Sequence, residues 1–397
     1  MNIILVEALT FGLGRLTKAA EELNVTLHLL TRNPDVYFYE LKNIQSKRLK
    51  VVKLDTFDKK EVINYCSEID NFANIINLTD TWTNTVREVS EILGCKIQNP
   101  LSMKICRDKS MLRQTLIEKK LSRCSQNLVD IRQEKINLEG IRYPVIVKDA
   151  SGTGSKNVWL AESTSELYKV ISEAKSISNL DQVLVETYLK GTLFSAETVS
   201  YQGKTKLISI SSRILSDIPK FMEKAISLPL KTKGTELENV EPWIKHILTA
   251  ISYTDGFAHT EFVVTDKGFE VIEVNPRLGG VQIGEALCQA FDYNFYKAFI
   301  EMALGREPEV FSIQLSPKKA IGQVFIYANS TGRFSHTDNK HTSKKTTVYP
   351  CAIKGKKINS LSDQTSCVAI SLTESSNSEL ALLDALSEAN KIKVFMD

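Results

Sequence analysis

The chain has no uninterrupted apolar run approaching the ~18 residues that a membrane span needs. It also has little surplus charge: 50 lysines and arginines against 47 acidic residues leave a net charge of +3. That balance argues against nucleic acid or an anionic membrane as the main partner. The opening MNIILVEAL lacks a basic n-region and reaches Glu7 too soon for a secretory leader, so a cytoplasmic location is expected. None of the cysteines (Cys66, Cys95, Cys106, Cys124, Cys288, Cys351, Cys367) stands in a CxxC pair. A zinc ribbon and a thioredoxin-like dithiol are therefore unsupported, and the odd, scattered set favours reduced structural thiols. There are only five histidines, and no Ser-His-Asp or Cys-His arrangement stands out. His259-Thr260-Glu261 has the His-x-Glu spacing of a zinc deaminase, but no Pro-Cys-x-x-Cys follows it. What remains is an ordinary globular composition, 43% apolar and 24% charged, over 397 residues. That length accommodates two to four compact domains.

Short runs rich in Ile, Leu and Val at 2–7, 25–30, 50–54 and 73–78 alternate with helical patterns such as Leu16 to Leu23 and Lys59 to Glu68. This predicts a parallel α/β domain over residues 1–100. Gly12-Leu13-Gly14 lacks the third glycine of a dinucleotide fingerprint and reads as a tight strand-to-helix turn. Asn99-Pro100 marks a boundary. A second unit, 101–190, opens on a helix from Met111 to Lys120 capped by Asp108, with strands at 144–148, 157–161 and 183–188. A third, 191–310, is an antiparallel region, and a cap follows over 311–397 with a polar loop at 331–346. Ser376 and Glu379 fit a capping box for the last helix. The basic stretch from His336 to Lys357 reads as a solvated surface.

The most informative segment is GFAHTEFVVTDKGFEVIEVNPRLGG, Gly256 to Gly280. Phe257 to Thr265 and Phe269 to Asn275 read as paired strands around an Asp266-Lys267-Gly268 turn, with glycine at the left-handed position. That register sets Thr265 opposite Phe269, Glu261 opposite Glu273, and His259 opposite Asn275. Directly opposed residues have Cβ atoms ~5 Å apart, and like charges there repel, so a cation is expected between the carboxylates. Oxygen ligands from Glu261, Glu273 and Asn275 suit Mg²⁺. A carboxylate pair facing water is the alternative.

Tyr143-Pro144-Val145-Ile146-Val147-Lys148 is an apolar strand ending in a lysine that must find an anion or carry a desolvation cost. The following Ser151-Gly152-Thr153-Gly154-Ser155-Lys156 is small and flexible enough to close over phosphates with backbone N–H groups and hydroxyls. It is not a GxxxxGK[ST] loop, because strand rather than helix follows. Lys109 occupies a first helical turn, where the macrodipole disfavours a cation unless an anion is near.

Lys109, Lys148, the Gly-Ser loop, Glu186 in VLVETYLKG, and the Glu261/Glu273/Asn275/Arg277 set together resemble the ATP-grasp superfamily. The resemblance runs in order along nearly the whole chain. EVNPRLGG and SRILSDIPKFMEKAISLPL look most like the L-amino-acid ligase branch, which includes bacilysin- and dapdiamide-type dipeptide synthetases. It implies an α/β fold with an N-terminal domain, a two-part nucleotide clamp and a C-terminal cap. Lys109 and Lys148 would contact the α- and β-phosphates of ATP, and Glu186, Thr187, Tyr188 and Leu189 would form the adenine hinge. The Ser151 to Lys156 loop would fold over the triphosphate. Glu261, Glu273 and Asn275 would hold one or two Mg²⁺ ions, or Mn²⁺ in their place, and Arg277 would steady the transferred phosphoryl group. Many relatives carry an acidic residue where Leu193 stands here, which leaves Glu197 as the candidate ribose contact. Arg213, Glu223 and the segment Gly279 to Gln282, with Gly279 and Gly280, are candidate contacts to the substrates.

The implied reaction joins a small carboxylate, expected to be an amino acid, to an amine through an acyl-phosphate. It relies on charge neutralisation and positioning rather than on a protein nucleophile. Two other readings stay open: a ligase for a citrate-like or other non-amino-acid carboxylate, and a nucleotide-binding regulator without turnover. The family also suggests a homodimer.

Overall fold

The computed structural model describes every residue except 97, 134, 135, 137, 139, 151, 153–156 and 218–220. Strands β1 (Asn2–Val6), β2 (Thr26–Thr31), β3 (Leu49–Lys53) and β4 (Phe72–Ile76) alternate with helices α1 (Leu13–Glu22), α2 (Phe38–Asn43), α3 (Lys59–Ser67) and α4 (Thr83–Ile92). The strands form a parallel sheet in the order β3-β2-β1-β4. Its central strand β1 is almost wholly buried, as an apolar run covered on both faces should be. Gly12 has φ +107°, and a Cβ there would collide with the Tyr296 ring, so only glycine allows this strand-to-helix turn. The Glu40 carboxylate accepts from the Gly14 N–H (3.1 Å) at the start of α1, occupying the place a dinucleotide phosphate takes in a true fingerprint.

Helices α5 (Pro100–Arg107) and α6 (Lys109–Glu118) lead into β5 (Gln126–Asp130), β6 (Val145–Asp149), β7 (Val158–Ala161), α7 (Thr164–Lys175) and β8 (Gln182–Thr187). These strands make a small antiparallel sheet, β5-β8-β6-β7, and the apolar side of α7 helps to close its core.

The large sheet is built from β9 (Thr192–Tyr201), β10 (Lys204–Leu215), β11 (Glu223–Leu228), β12 (Gly256–Thr265) and β13 (Gly268–Asn275), with α8 (Val240–Ala250) between β11 and β12. Helices α9 (Ile283–Phe291) and α10 (Lys297–Ala303) follow. Beyond residue 310 come β14 (Ala320–Tyr327), β15 (Gly332–Asp338), β16 (Thr346–Pro350), β17 (Lys357–Ile358), β18 (Cys367–Ser375), α11 (Ser378–Ala389) and β19 (Lys393–Met396). The sheet order is β13-β12-β9-β10-β11-β14-β18-β16. Strands from both sides of the expected boundary at 310 thus share one sheet, because β14 hydrogen-bonds directly to β11. One apolar cluster runs from β1 and α1 through α9 and α10 to β14 and β18, packing the N-terminal sheet against this one.

Two local expectations are corrected. The stretch 331–346 is not all loop: β15 lies within it, paired to β17 and β19. The cap of α11 is Asn377, whose side chain accepts from the Leu380 N–H (2.9 Å), rather than Ser376. Asparagine one residue closer to the first helical turn reaches the unpaired N–H that the cap must satisfy. Among the described residues no helix is long and apolar enough to cross a membrane.

Candidate active site

The hairpin β12–β13 opposes Glu261 to Glu273 and His259 to Asn275, the juxtaposition expected from the sequence, but it does so by another route. The turn has two residues, Asp266-Lys267, with Thr265 paired to Gly268 rather than opposite Phe269. A bulge between Glu261 and Phe262 then restores the register, since Phe262 pairs with Val271 and one residue of β13 is left over. Bulges re-aim side chains, and here both Ile272 and Glu273 line the cleft.

That cleft, about 320 Å³, lies between the small and large sheets. Lys109, Lys148, Glu186, Arg213, Glu261 and Arg277 also line it. From the Gly-Ser segment, Gly152 lines it, while Ser151, Thr153, Gly154, Ser155 and Lys156 lie outside the described residues.

The two central carboxylates are 18% (Glu261) and 26% (Glu273) exposed, and each has its own cation. Glu261 lies 3.1 Å from the Arg213 guanidinium and 3.3 Å from His259 Nε2. Burial alone would raise its pKa, but Arg213 and then His259 hold it well below the usual carboxylate range. Glu273 lies 3.7 Å from Lys109 Nζ. Lys109 is the first residue of α6, and its ammonium also donates to the Gly152 carbonyl. The anion that the helix macrodipole calls for is therefore Glu273.

Lys148 is 5% exposed and forms an ion pair with Glu186, whose other oxygen is 3.2 Å from Arg113 Nε. Burial opposes the Glu186 charge, but Lys148 and Arg113 together lower its pKa. Both oxygens of Glu186 are so engaged, and Glu186, Thr187, Tyr188 and Leu189 together supply one stretch of the cleft wall. Arg113 escaped the sequence reading. Its signal was a guanidinium beside Leu112 and one turn from Leu116, on the buried face of α6.

Glu197 requires correction as a ribose contact. It is fully buried behind the cleft, where it accepts from His259 Nδ1 and from the Gly279 N–H (2.9 Å). His259 bridges Glu197 and Glu261. Burial disfavours its charged form, but Glu197 and Glu261 together push its pKa up to about 9. Gly279 likewise packs on Glu197, where an added Cβ would come within 2.7 Å of Oε1. It does not reach the cleft, whereas Gly280 does. Asn275, opposite His259, is buried, and its Nδ2 donates to Glu273 (2.8 Å). Among the described residues no cluster of three or more His, Cys, Asp or Glu side chains gathers at metal-binding spacing.

Arg213 joins Glu223 to Glu261, with its NH1 3.1 Å from His259 Nε2. Arg277 is anchored from another domain: Asp80 Oδ2, in the loop after β4, is 2.6 Å from both Nε and NH2. Asp80 was missed in the sequence, although the carboxyl end of a parallel strand is where α/β sheets present ligand-facing residues.

A family model described as the ATP-grasp domain matches residues 141–285. The chain therefore carries an ATP-grasp domain, and its fold is the ATP-grasp fold. An uncharacterized protein of Sinorhizobium fredii, y4rH, is 23% identical over 77% of this chain and 64% of its own length. The chain spans less than two thirds of the curated relatives it matches. Among solved structures, the L-amino acid ligase from Bacillus licheniformis superposes with a TM-score of 0.83 at 19% identity, covering 100% of this chain and 98% of that one. The biotin carboxylase domain dimer of Hydrogenobacter thermophilus 2-oxoglutarate carboxylase, solved with MgADP, ADP and bicarbonate, gives 0.74 at 14% identity over 99% and 90% of the two chains.

Proposed function

We propose that this chain is an ATP- and Mg²⁺-dependent carboxylate–amine ligase whose carboxylate substrate is an amino acid. The observation that carries the reading is the facing pair Glu261 and Glu273 at a cleft also lined by Lys109, Lys148 and Arg277. Two partly exposed carboxylates on adjacent strands form a hard-oxygen set that fits Mg²⁺, and several surrounding cations fit a polyphosphate. Glu261, Glu273 and the amide oxygen of Asn275 would hold the metal, while the Asn275 Nδ2 donates to Glu273. Bound Mg²⁺ supplies charge neutralisation on the phosphates.

Lys109 and Lys148 would exchange their present carboxylate partners for phosphate oxygens. Arg277, fixed by Asp80, would face charge developing on the transferred phosphoryl group. In the first step a carboxylate oxygen bonds to the γ-phosphorus and the bond to ADP breaks. In the second, the amine nitrogen attacks the acyl carbon, phosphate leaves, and the amine loses a proton. Similarity to the B. licheniformis ligase over the full chain supports an amino-acid substrate. A homodimer belongs to the same proposal, and sedimentation would test it.

The test is ADP formation from Mg²⁺-ATP with the twenty amino acids offered singly and in pairs. A specific pair that drives ADP release and yields a product of their summed mass less water supports the reading. Silence with all pairs, alongside activity on another carboxylate, would replace the amino acid. Nucleotide binding without any turnover would make the protein a regulator.

A further inference from the structure

Four residues that line the cleft, Ile226, Val281, Ile283 and Phe325, are apolar and lie together. Ile226, Ile283 and Phe325 belong to one buried cluster, Val281 packs against it, and α9 packs on β11 and β14. The strand order β12-β9-β10-β11-β14 sets β11 and β14 beyond Arg213 of β10 as the sheet is crossed from the strand of Glu261. Ile226 pairs in register with Arg213, and Phe325 stands on the next strand out. Val281 and Ile283 follow closely on Arg277 in the chain.

The backbone that presents this face is strained: Val281, a β-branched residue, has φ +60°. Such residues rarely adopt the left-handed region, and strain of this kind concentrates at ligand-binding sites. Charge beside the face is already matched. Arg213 is paired with Glu223 and with Glu261 (3.1 Å), and Arg277 with Asp80 (2.6 Å). The cap contributes Phe325 and Gln364 to the lining, and neither is charged.

We propose that Ile226, Val281, Ile283 and Phe325 hold the side chain of the amino acid that is phosphorylated, and that this side chain is apolar. The inference rests on the ligase reading and names the side-chain class of its acyl substrate. In an in-line phosphoryl transfer the attacking carboxylate enters opposite the leaving ADP. The acyl substrate therefore lies across the γ-phosphate from the nucleotide, beside Arg277, where its side chain meets the apolar face. Each methylene buried there adds affinity. A carboxylate or ammonium side chain would be buried without a counter-ion of its own, because Arg213 and Arg277 are engaged.

Calorimetric titration, with Mg²⁺ and a non-hydrolysable ATP analogue present, tests this directly. L-Leucine, L-methionine and L-phenylalanine are compared with L-alanine, L-glutamine, L-glutamate and L-lysine. One of the first three should bind at least about tenfold more tightly than alanine, and about a hundredfold more tightly than glutamate or lysine. Phe325→Ala should erase most of the preference over alanine while the nucleotide analogue still binds. Val281→Ala, at a half-buried position, should reduce that preference too, which guards against a folding defect in the first variant. Preference for alanine, glutamine, glutamate or lysine, a preference unchanged in both variants, or no binding by any of these amino acids overturns the inference. If an apolar amino acid binds as expected but no amine leads to ADP release, the side-chain site stands and the ligase reading fails. If a charged amino acid drives ADP release instead, the ligase reading stands and this inference fails.

Discussion

Replacing Glu186 by glutamine removes the one carboxylate that Lys148 and Arg113 share. All three side chains are at least nine-tenths buried, with Arg113 Nε 3.2 Å from Glu186. Glutamine keeps the size of the group but leaves two buried cations facing a neutral amide. Removing one partner of a buried ion pair costs about 3–5 kcal/mol. At 1.4 kcal/mol per tenfold, that is about two to three and a half orders of magnitude in the local opening equilibrium. Hydrogen exchange reads it in place, because Glu186 lies in register with Ile146 on β6. Amide protection along β6 and β8 should fall by at least about a hundredfold in Glu186→Gln, while protection of β1 and β2 stays as it was. A loss below about tenfold would refute the argument that this triad stabilises the small sheet.

The same triad sets an acid response. The Glu186 pKa is lowered in the folded state, so its contribution is complete above the unfolded value, ~4.3, and drains away as pH falls through the folded one. Urea midpoints measured from pH 7 to pH 3 should therefore fall less steeply below about pH 4.5 in Glu186→Gln than in the parent protein, and parallel curves would contradict this. Gly279→Ala places a Cβ 2.7 Å from Glu197 Oε1 and 2.9 Å from His259 Nδ1. This overpacking should cost about 1–3 kcal/mol in thermal unfolding, and an unchanged midpoint would argue against the close packing of Gly279 on Glu197.

The strands were legible because their apolar runs were bounded by clear turn residues, and the Glu261–Glu273 opposition was legible because alternation leaves few registers open. The turn and the bulge were not. Each changes the register by one residue, and together they cancel, so the right opposition followed from the wrong turn. Glu197 was the candidate ribose contact because Leu193 stands where many relatives carry an acidic residue. Its role was decided by His259 and Gly279, whose contacts come from residues 62 and 82 positions away. Asp80 is 197 residues from Arg277, and nothing local to either residue specifies the other. Arg113 is a comparable case: an arginine on an apolar helix face signals a buried partner, but only the packed sheet shows that Glu186 is that partner.

The central claim is that the Glu261–Glu273 hairpin binds metal together with nucleotide. It is tested most directly by measuring ATP affinity with and without Mg²⁺ in the parent protein and in Glu273→Gln. Mg²⁺ should tighten ATP binding to the parent protein, and Glu273→Gln should lose most of that gain while retaining its Mg²⁺-free affinity. An identical Mg²⁺ dependence in the two proteins would contradict the assignment.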